Sequence, residues 1–185
     1  DHNLDCEGRD RTSMQFPQGQ TELIRQVSAI NGKTIVVLMH GAPIDLPWID
    51  RVPAVLDMFF PGMEGGTAMA DILFGDADPS GRLTFSWPER LEDSPVYELA
   101  TQDVDNVNYE DSLMVGYRYF DTKRVTPRYE FGYGLSYTTF DYSKMKVKKD
   151  GDNCVVTLHV KNTGSRDGAE VVQIYVGQKN CRYTR

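Results

Sequence analysis

Apolar residues recur with helical spacing in two stretches of the chain. The first stretch, residues 16–32, reads FPQGQTELIRQVSAING, and a Pro and a Gly precede its periodic part. Its apolar positions are Leu23, Ile24, Val27 and Ile30. Because this spacing puts them on one face, it predicts an amphipathic helix that ends at the Asn-Gly pair. The second stretch, EGGTAMADILFG, predicts another helix with Gly75 past its end and with buried apolar positions at Ala68, Met69, Ile72 and Leu73.

Two apolar runs between these helices have the character of strands. KTIVVLMHG is short, continuous and β-branched, which is typical of a strand buried on both faces of a parallel sheet. A second run, from Ala54 to Phe60, follows a short helical turn around Trp48 to Arg51. Helices alternating with buried strands predict a layered α/β domain.

The pattern changes twice further along the chain. Residues 89–139 carry aromatics and glycines without a sustained helical period, which predicts an irregular connecting segment. Beyond about residue 140, apolar and polar positions alternate in two runs. The apolar positions are Val156, Leu158 and Val160 in the first run and Val172, Ile174 and Val176 in the second. Period two predicts antiparallel strands of a β-sandwich. Too few residues follow to complete such a sandwich, so we expect a chain cut from a longer polypeptide.

Composition narrows the classes of partner. The 185 residues carry a net charge of −7, which argues against nucleic acid or an anionic membrane and favours a neutral small substrate. Three cysteines and three histidines show no metal-ligand spacing, so no zinc site is expected. These residues are Cys6, Cys154, Cys181, His2, His40 and His159.

One charged segment stands out near the start of the chain. Residues 5–11, DCEGRDR, surround a glutamate with a glycine, two aspartates and two arginines. From the residues alone, such a segment is either a solvated surface loop or half of an active site. Gly8 would allow the sharp bend that a loop entering a cleft needs.

In order along the chain, several motifs resemble the C-terminal half of glycoside hydrolase family 3, the β-glucosidase and β-xylosidase family. They are CEGRDR, LPWIDRVPAVLDMFFPGMEGGTAMADILFGDADPSGRL, VGYRYFD, FGYGLSYTTF and VKNTGSRDGAEVVQIYVG. The resemblance implies an α/β fold with three parts. Residues 1–88 are expected to be the later part of an α/β sandwich domain, 89–138 a connecting segment, and 139–185 the start of an antiparallel fibronectin type III-like β-sandwich.

The same resemblance assigns a role to the charged loop. Glu7 matches the family's general acid/base, in a motif of Glu-Gly-x-Asp-Arg, with Arg9 where the family often has an aromatic residue or His. Asp10 and Arg11 are expected either to brace the loop or to contact sugar. Our hypothesis is that Arg11 points away from Glu7 and pairs with Asp10 or Asp5. The nucleophile would be an aspartate on an N-terminal (β/α)8 barrel that this chain does not contain.

Four other residues invite weaker interpretations. GMEGGT lacks the Lys-Ser/Thr of a phosphate loop, so it predicts a tight strand-to-helix turn in which Glu64 caps the helix. Trp48 is expected to pack rather than stack on sugar, and Ser136 lacks the full nucleophile-elbow pattern. His40 is expected to be a hydrogen-bonded structural residue. The aromatics expected to anchor the connecting segment are Phe131, Tyr133, Tyr137 and Phe140.

The resemblance implies a retaining β-glycosidase without metal or cofactor, most simply a β-glucosidase acting on β-linked oligosaccharides or aryl and alkyl glycosides. A β-xylosidase of the same family and a non-catalytic carbohydrate-binding or accessory module are the alternatives. The chain alone is expected to be inactive, because the barrel of the same polypeptide would supply the nucleophile. The family also implies secretion or a periplasmic location.

Overall fold

The computed structural model describes residues 11–97, 109 and 112–179. Its helices and strands are α1 (Gln20–Ile30), β1 (Ile35–Leu38), a 3-10 turn (Ile49–Arg51), β2 (Ala54–Asp57), α2 (Gly65–Phe74), a second 3-10 turn (Leu91–Asp93), α3 (Tyr117–Lys123), β3 (Phe140–Asp150) and β4 (Asn153–Asn162). We call residues 11–97 the α/β unit and β3 with β4 the hairpin.

Strands β1 and β2 pair in parallel, in a register that sets Ile35 beside Ala54 and Leu38 beside Asp57. The parallel pairing confirms the sequence prediction. Burial on both faces does not hold throughout, because Val36 and Leu38 are buried whereas Ile35 is half exposed. Side chains alternate along a strand, so Val36 and Leu38 point to the apolar cluster, whereas Ile35 points to the opposite face, which the described residues leave partly open. The second predicted strand ends at Asp57, three residues earlier than expected.

An apolar cluster forms around β1 and the loop that follows it. Its buried members are Met14, Val36, Leu38, Ile44, Leu46, Trp48 and Trp87. Helix α1 reaches this cluster through Ile24. The predicted helix is confirmed, but most of its apolar face is not buried in the described structure, since Leu23, Val27 and Ile30 are exposed. The cluster is too narrow to cover three helical turns.

Helix α2 begins directly after the turn that follows β2 and stops at Gly75, whose φ of 81° lies in the left-handed region that glycine adopts easily. The predicted end of this helix is therefore confirmed. Its predicted burial is not: Ala68 and Leu73 are exposed, and Met69 and Ile72 are half-buried. The helix packs by one narrow stripe, and its remaining apolar side chains meet solvent in the described part of the chain.

The end of the predicted connecting segment folds back onto the α/β unit. Trp87 and Tyr129 form an antiparallel bridge, with Trp87 N donating to Tyr129 O at 2.8 Å. Gly132 N donates to Leu83 O at 2.8 Å and extends the pairing. Rings support the same contact, since Trp87 and Tyr129 meet edge to face with centroids 6.3 Å apart. Helix α3, between Gly116 and Arg124, was not predicted, because aromatics at three of its positions obscure a helical period.

The hairpin is antiparallel and contains one bulge. Ser143 pairs with His159, but Lys146 pairs with Thr157, so β3 carries one residue more than β4 between these pairs. Lys144 lies inside the bulge with φ 53°. Since paired residues share a face, Val147 and Val156 lie on one face, and Lys146 and Thr157 lie on the other.

A third predicted strand around Val172, Ile174 and Val176 is absent, and this prediction was wrong. Residues 171–178 run without regular secondary structure, although Val172 and Ile174 line a groove beside Val156 and Leu158 of the hairpin. A strand needs a ladder of backbone hydrogen bonds. No neighbouring strand in the described ranges gives this segment one.

Polar contacts join the segments on either side of the hairpin to the α/β unit. Ser136 Oγ donates to the Asp78 carboxylate at 2.9 Å, and Tyr137 N donates to Asp78 Oδ1 at 2.7 Å. Arg82 and Glu170 form a largely buried ion pair at 3.4 Å. We call this group of contacts the junction. Arg166 also belongs to the junction, because its guanidinium donates to the carbonyl of Gly75 and lies over the Tyr137 ring. The junction therefore comprises Gly75, Asp78, Arg82, Ser136, Tyr137, Arg166 and Glu170.

Candidate functional site

The predicted general acid/base, Glu7, and its neighbour Asp10 lie outside the described residues, as does any pairing of Arg11 with Asp5 or Asp10. Arg11 is the first described residue, so it marks where the charged loop enters the α/β unit. Its Nη2 donates to the carbonyl of Gln15 at 2.7 Å. Arg11 therefore has at least one bracing contact, toward the chain that follows it.

Residues 13–15 fix the base of the charged loop. Met14 is 5% exposed and belongs to the apolar cluster, and its carbonyl accepts a hydrogen bond from Asp45 N at 2.8 Å. Gln15 N donates to Ser13 Oγ at 3.1 Å, which closes a tight turn beside this anchor. The loop base is thus tied to the segment that follows β1.

Asp45 lies in an acidic part of the surface beside the loop base. Partial burial raises the pKa of its carboxyl, and the negative charges of Glu92 and Glu89 raise it further, whereas the Arg11 guanidinium lowers it. Burial favours the neutral acid because a charged carboxylate loses hydration there. Arg11 is the cation that opposes both effects.

His40 and Asp57 form a buried pair where β1 and β2 end. His40 Nδ1 lies 2.8 Å from the Ala42 carbonyl, so this nitrogen carries the proton and donates it. His40 Nε2 lies 3.1 Å from Asp57 Oδ1, close enough for an ion pair but without hydrogen-bond geometry. Trp87 packs edge-on against the imidazole with centroids 5.2 Å apart. His40 is thus a hydrogen-bonded structural residue, as predicted.

The carboxyl edge of the two strands also carries an exposed aromatic ring. Phe60 is 74% exposed, and its ring lies over Gly41, where an added Cβ would come within 2.7 Å of Cε2. Phe59 before it has φ 48°, an unusual conformation for a bulky residue. Met63, in the same turn, is almost fully exposed. Ligand sites are common at the carboxyl edge of a parallel sheet. Phe60 and Met63 therefore lie beside the edge of the sheet where a ligand site would be expected.

The structure settles three weaker candidates. Trp48 is 1% exposed and packs near Phe16, which confirms a packing role. The Ser136 hydroxyl is engaged by Asp78 in the junction, as befits a structural residue. Glu64 occupies the N-cap position of α2, but its side chain caps no backbone N–H, so the capping prediction was wrong in its chemistry. Its carboxylate accepts from the Thr67 hydroxyl instead, at 3.4 Å.

Sequence reasoning overlooked Asp45 and Phe60. Asp45 follows β1 by seven residues, between two apolar positions that prove to be buried, Ile44 and Leu46. An acidic residue between two apolar residues in a loop indicates that the flanking side chains hold the backbone in place while the carboxyl points away from the core. Phe60 was assigned to a strand, and the Pro that follows it marks a strand end.

Within the described ranges, no group of three or more His, Cys, Asp or Glu side chains is arranged to hold a metal ion. No helix there has the length and apolar character needed to cross a membrane.

Comparisons with known proteins agree with this geometry. Residues 1–137 match the family model described as the glycosyl hydrolase family 3 C-terminal domain. Thermostable beta-glucosidase B of Acetivibrio thermocellus is 45% identical over 176 residues, which cover 93% of this chain and 23% of that protein. Beta-glucosidase BoGH3A of Bacteroides ovatus is 40% identical over 192 residues, covering 100% of this chain and 26% of that protein.

Solved structures give the same result. Beta-glucosidase 3B from Thermotoga neapolitana, in complex with glucose, superposes with a TM-score of 0.82 at 40% identity, over 89% of this chain and 25% of that one. The beta-glucosidase from Kluyveromyces marxianus in complex with glucose has a TM-score of 0.81 at 38% identity, over 86% and 19%. The chain spans about a quarter of the length of the curated relatives it matches. On these grounds, this α/β chain belongs to glycoside hydrolase family 3, and its residues 1–137 belong to the family's C-terminal domain.

Proposed function

We propose that this chain is the acid/base-bearing part of a retaining β-glucosidase that removes terminal β-D-glucosyl residues. The observation that carries the proposal is the motif Glu7-Gly8-Arg9-Asp10-Arg11, which lies inside the segment matching the family's C-terminal domain. The named relatives are β-glucosidases, which favours glucose over xylose as the sugar.

The proposed reaction has two steps. Glu7 as a carboxylic acid gives its proton to the glycosidic oxygen while the C1–O bond breaks and a barrel aspartate bonds to C1. Glu7 as a carboxylate then takes a proton from water, whose oxygen displaces the aspartate from C1. Glucose leaves with retained configuration, and Glu7 is again protonated. The two carboxyl groups need to lie about 5–5.5 Å apart.

The anchor at Met14 supports a loop that delivers one carboxyl group reproducibly. Three residues separate Glu7 from Arg11, so the four steps of extended chain can carry the acid at most about 14 Å from Arg11. A loop held at a buried base therefore keeps its acid within that distance of one fixed point. Positioning is a large part of what general acid catalysis needs.

We also propose a domain organisation for the chain. Residues 1–88 would form part of the α/β sandwich domain, 89–138 the connection, and 139–185 the start of a fibronectin type III-like domain. A barrel of the same polypeptide would supply the nucleophile. We therefore expect no turnover of an aryl β-glucoside by the 185-residue chain alone, whereas measurable turnover by it would contradict the split site.

The test is Glu7→Gln in the full-length polypeptide that carries this chain. We expect kcat/KM for an alkyl β-glucoside to fall about 10²–10⁴-fold, because its leaving group needs a proton. The value for 2,4-dinitrophenyl β-glucoside should change little, because that leaving group departs unprotonated. The kcat for that substrate should fall, because water needs Glu7 as a general base to release glucose from the glycosyl-enzyme. Azide should restore that kcat and yield β-glucosyl azide, since azide attacks C1 without a general base.

Glu64→Gln is the matched control, because Glu64 is an exposed glutamate of the same domain whose carboxylate contacts Thr67. It should leave both substrates unaffected. An equal loss on both substrates after Glu7→Gln, or no loss on either, would remove Glu7 from the acid/base role. Turnover of β-xylosides in preference to β-glucosides would change the assigned sugar, and sugar binding without turnover would favour an accessory module.

A further inference from the structure

Phe60 is an aromatic residue that is exposed and yet held in place. It is 74% exposed, and its Cε2 and Cζ atoms lie against Gly41, where an added Cβ would come within 2.7 and 3.0 Å of them. The next residue, Pro61, packs on Gly65, where an added Cβ would lie 2.6 Å from the proline Cγ. Contacts on both sides therefore restrict the ring, although solvent reaches most of it. We call residues 58–62 the aromatic turn.

The residue before Phe60 points the opposite way, into the α/β unit. Phe59 has φ 48°, in the left-handed region that a bulky side chain rarely adopts. Its N–H donates to Asp57 Oδ1 at 3.2 Å, and its ring packs against His40 and Phe85 with centroids 5.4 and 5.9 Å apart. Backbone strain of this kind persists where several contacts hold it, and such places are common at binding sites. The buried ring thus keeps Phe60 turned outward.

The aromatic turn belongs to the same packed region as the base of the charged loop. The His40 and Trp87 rings lie 5.2 Å apart, and the Trp87 indole donates to the Ile44 carbonyl at 3.0 Å. The next residue, Asp45, donates its N–H to Met14 O at 2.8 Å. An unbroken series of contacts therefore joins the aromatic turn to the loop base. Both lie where the strands end, at the edge where α/β proteins place their ligands.

We propose that Phe60 is a specificity-determining residue that stacks on a ring in the leaving group of the substrate. The inference rests on the proposed function, in which the barrel bonds to C1 of the transferred glucose while this chain protonates the departing oxygen. This chain would therefore face the leaving group. A neutral sugar offers no charge to bind, and the C–H groups on one face of its ring pack well on an aromatic side chain. The expected substrates are β-glucosides whose leaving group contains a six-membered ring.

The test compares Phe60→Ala with the parent in the full-length polypeptide, using two substrates that carry the same glucosyl group. Cellobiose has a second glucose ring as its leaving group, whereas methyl β-glucoside has no ring there. Both leaving groups need a proton, so Glu7 would serve both substrates alike. We expect kcat/KM to fall about 5–10-fold for cellobiose, through the lost stacking contact, and less than about twofold for methyl β-glucoside.

Three further variants make the result specific. Phe60→Trp keeps an aromatic ring and should retain the parental preference for cellobiose. Phe60→Leu keeps apolar bulk without a ring and should show most of the loss on cellobiose. Phe74→Ala is the matched control, because Phe74 is 84% exposed at the far end of α2. It should behave as the parent on both substrates.

Equal losses on both substrates after Phe60→Ala, with a lowered Tm, would mean that Phe60 packs against another part of the polypeptide, and would overturn the proposal. Parental activity of Phe60→Leu on cellobiose would also overturn it, because the ring would then be unnecessary. Glu7→Gln, measured in parallel, separates the two claims. Loss on both substrates with Glu7→Gln, but on neither with Phe60→Ala, would reject the role of Phe60 and leave the proposed function in place. A full-length parent that hydrolyses neither glucoside would overturn both.

Discussion

The α/β unit and the hairpin are held in different ways. The α/β unit surrounds a cluster that includes two buried tryptophans, Trp48 and Trp87. Along β3 only Phe140 is half-buried, and every other residue of that strand is exposed. The hairpin depends on its own ladder and on the junction, where Asp78 accepts hydrogen bonds from Ser136 and Tyr137.

The difference has an energetic meaning. Burying an aromatic side chain removes a large apolar area from water, at about 25 cal/mol per Å². A hydrogen bond exchanges one polar partner for another and contributes about 0.5–1.5 kcal/mol net. We therefore expect the α/β unit to fail through loss of packing and the hairpin to detach through loss of polar contacts at its base.

The largest expected effect tests the packed side of this comparison. Trp48→Ala should lower the free energy of unfolding by about 3–5 kcal/mol, because it empties a fully buried site. Urea denaturation of the chain, followed by circular dichroism, measures this. The matched control is Tyr142→Ala in β3, half exposed, which should lose much less. Equal losses would remove the distinction between the two regions.

A middle-sized effect tests the junction. Asp78→Ala should cost about 1–3 kcal/mol, because it leaves the Ser136 hydroxyl and the Tyr137 N–H without their acceptor. Hydrogen exchange should speed up at Tyr137 and Thr138 while the amides of β1 keep their protection. Asp152→Ala, in the hairpin turn, is the control. Unchanged exchange at Tyr137 would show that the junction does not hold the hairpin.

The smallest expected effect concerns the solvent face of α1. Arg25 and then Gln26 hydrogen-bond the Glu22 carboxylate and lower its pKa from 4.5 to about 2. Because the folded pKa lies below the unfolded one, the contribution is present above about pH 4.5 and is lost as pH falls to about 2. The pair is exposed and screened by salt, so its effect on stability is small.

An NMR titration of the Glu22 carboxyl carbon measures this third effect. Arg25→Met should raise the pKa of Glu22 toward its ordinary value, since the first cause of the lowering is removed. Arg51→Met, at an exposed arginine of the 3-10 turn, should leave it unchanged. If the pKa of Glu22 is the same in the parent and in Arg25→Met, the ion pair does not form in solution.

Local rules in the sequence were enough for much of the α/β unit. Gly75 marked the end of α2 because glycine tolerates the left-handed cap, and the β-branched run around Val36 marked β1. Both signals depend on residues that sit within the element itself. The family motifs around Glu7 likewise carried the resemblance, and the family model then matched the same segment.

Signals that depend on distant partners were less reliable. The spacing of apolar residues correctly predicted α1, but it did not indicate that Ile24 alone of the four would reach the cluster. Alternation around Val172 and Ile174 predicted a strand, yet a strand forms only where another backbone completes the ladder. The site shows the same limit, because Asp45 contacts the loop base through the carbonyl of Met14, thirty-one positions earlier in the sequence.

The bulge at Lys144 has a consequence for how tightly the length of β3 is constrained. Two residues of β3 lie opposite Leu158 at the bulge, so removing one of them would leave Lys146 paired with Thr157 and Val147 paired with Val156. The same deletion further along β3 would shift the register and move the following side chains to the opposite face. Natural variation should therefore tolerate a single-residue gap at the bulge and resist one elsewhere in the strand.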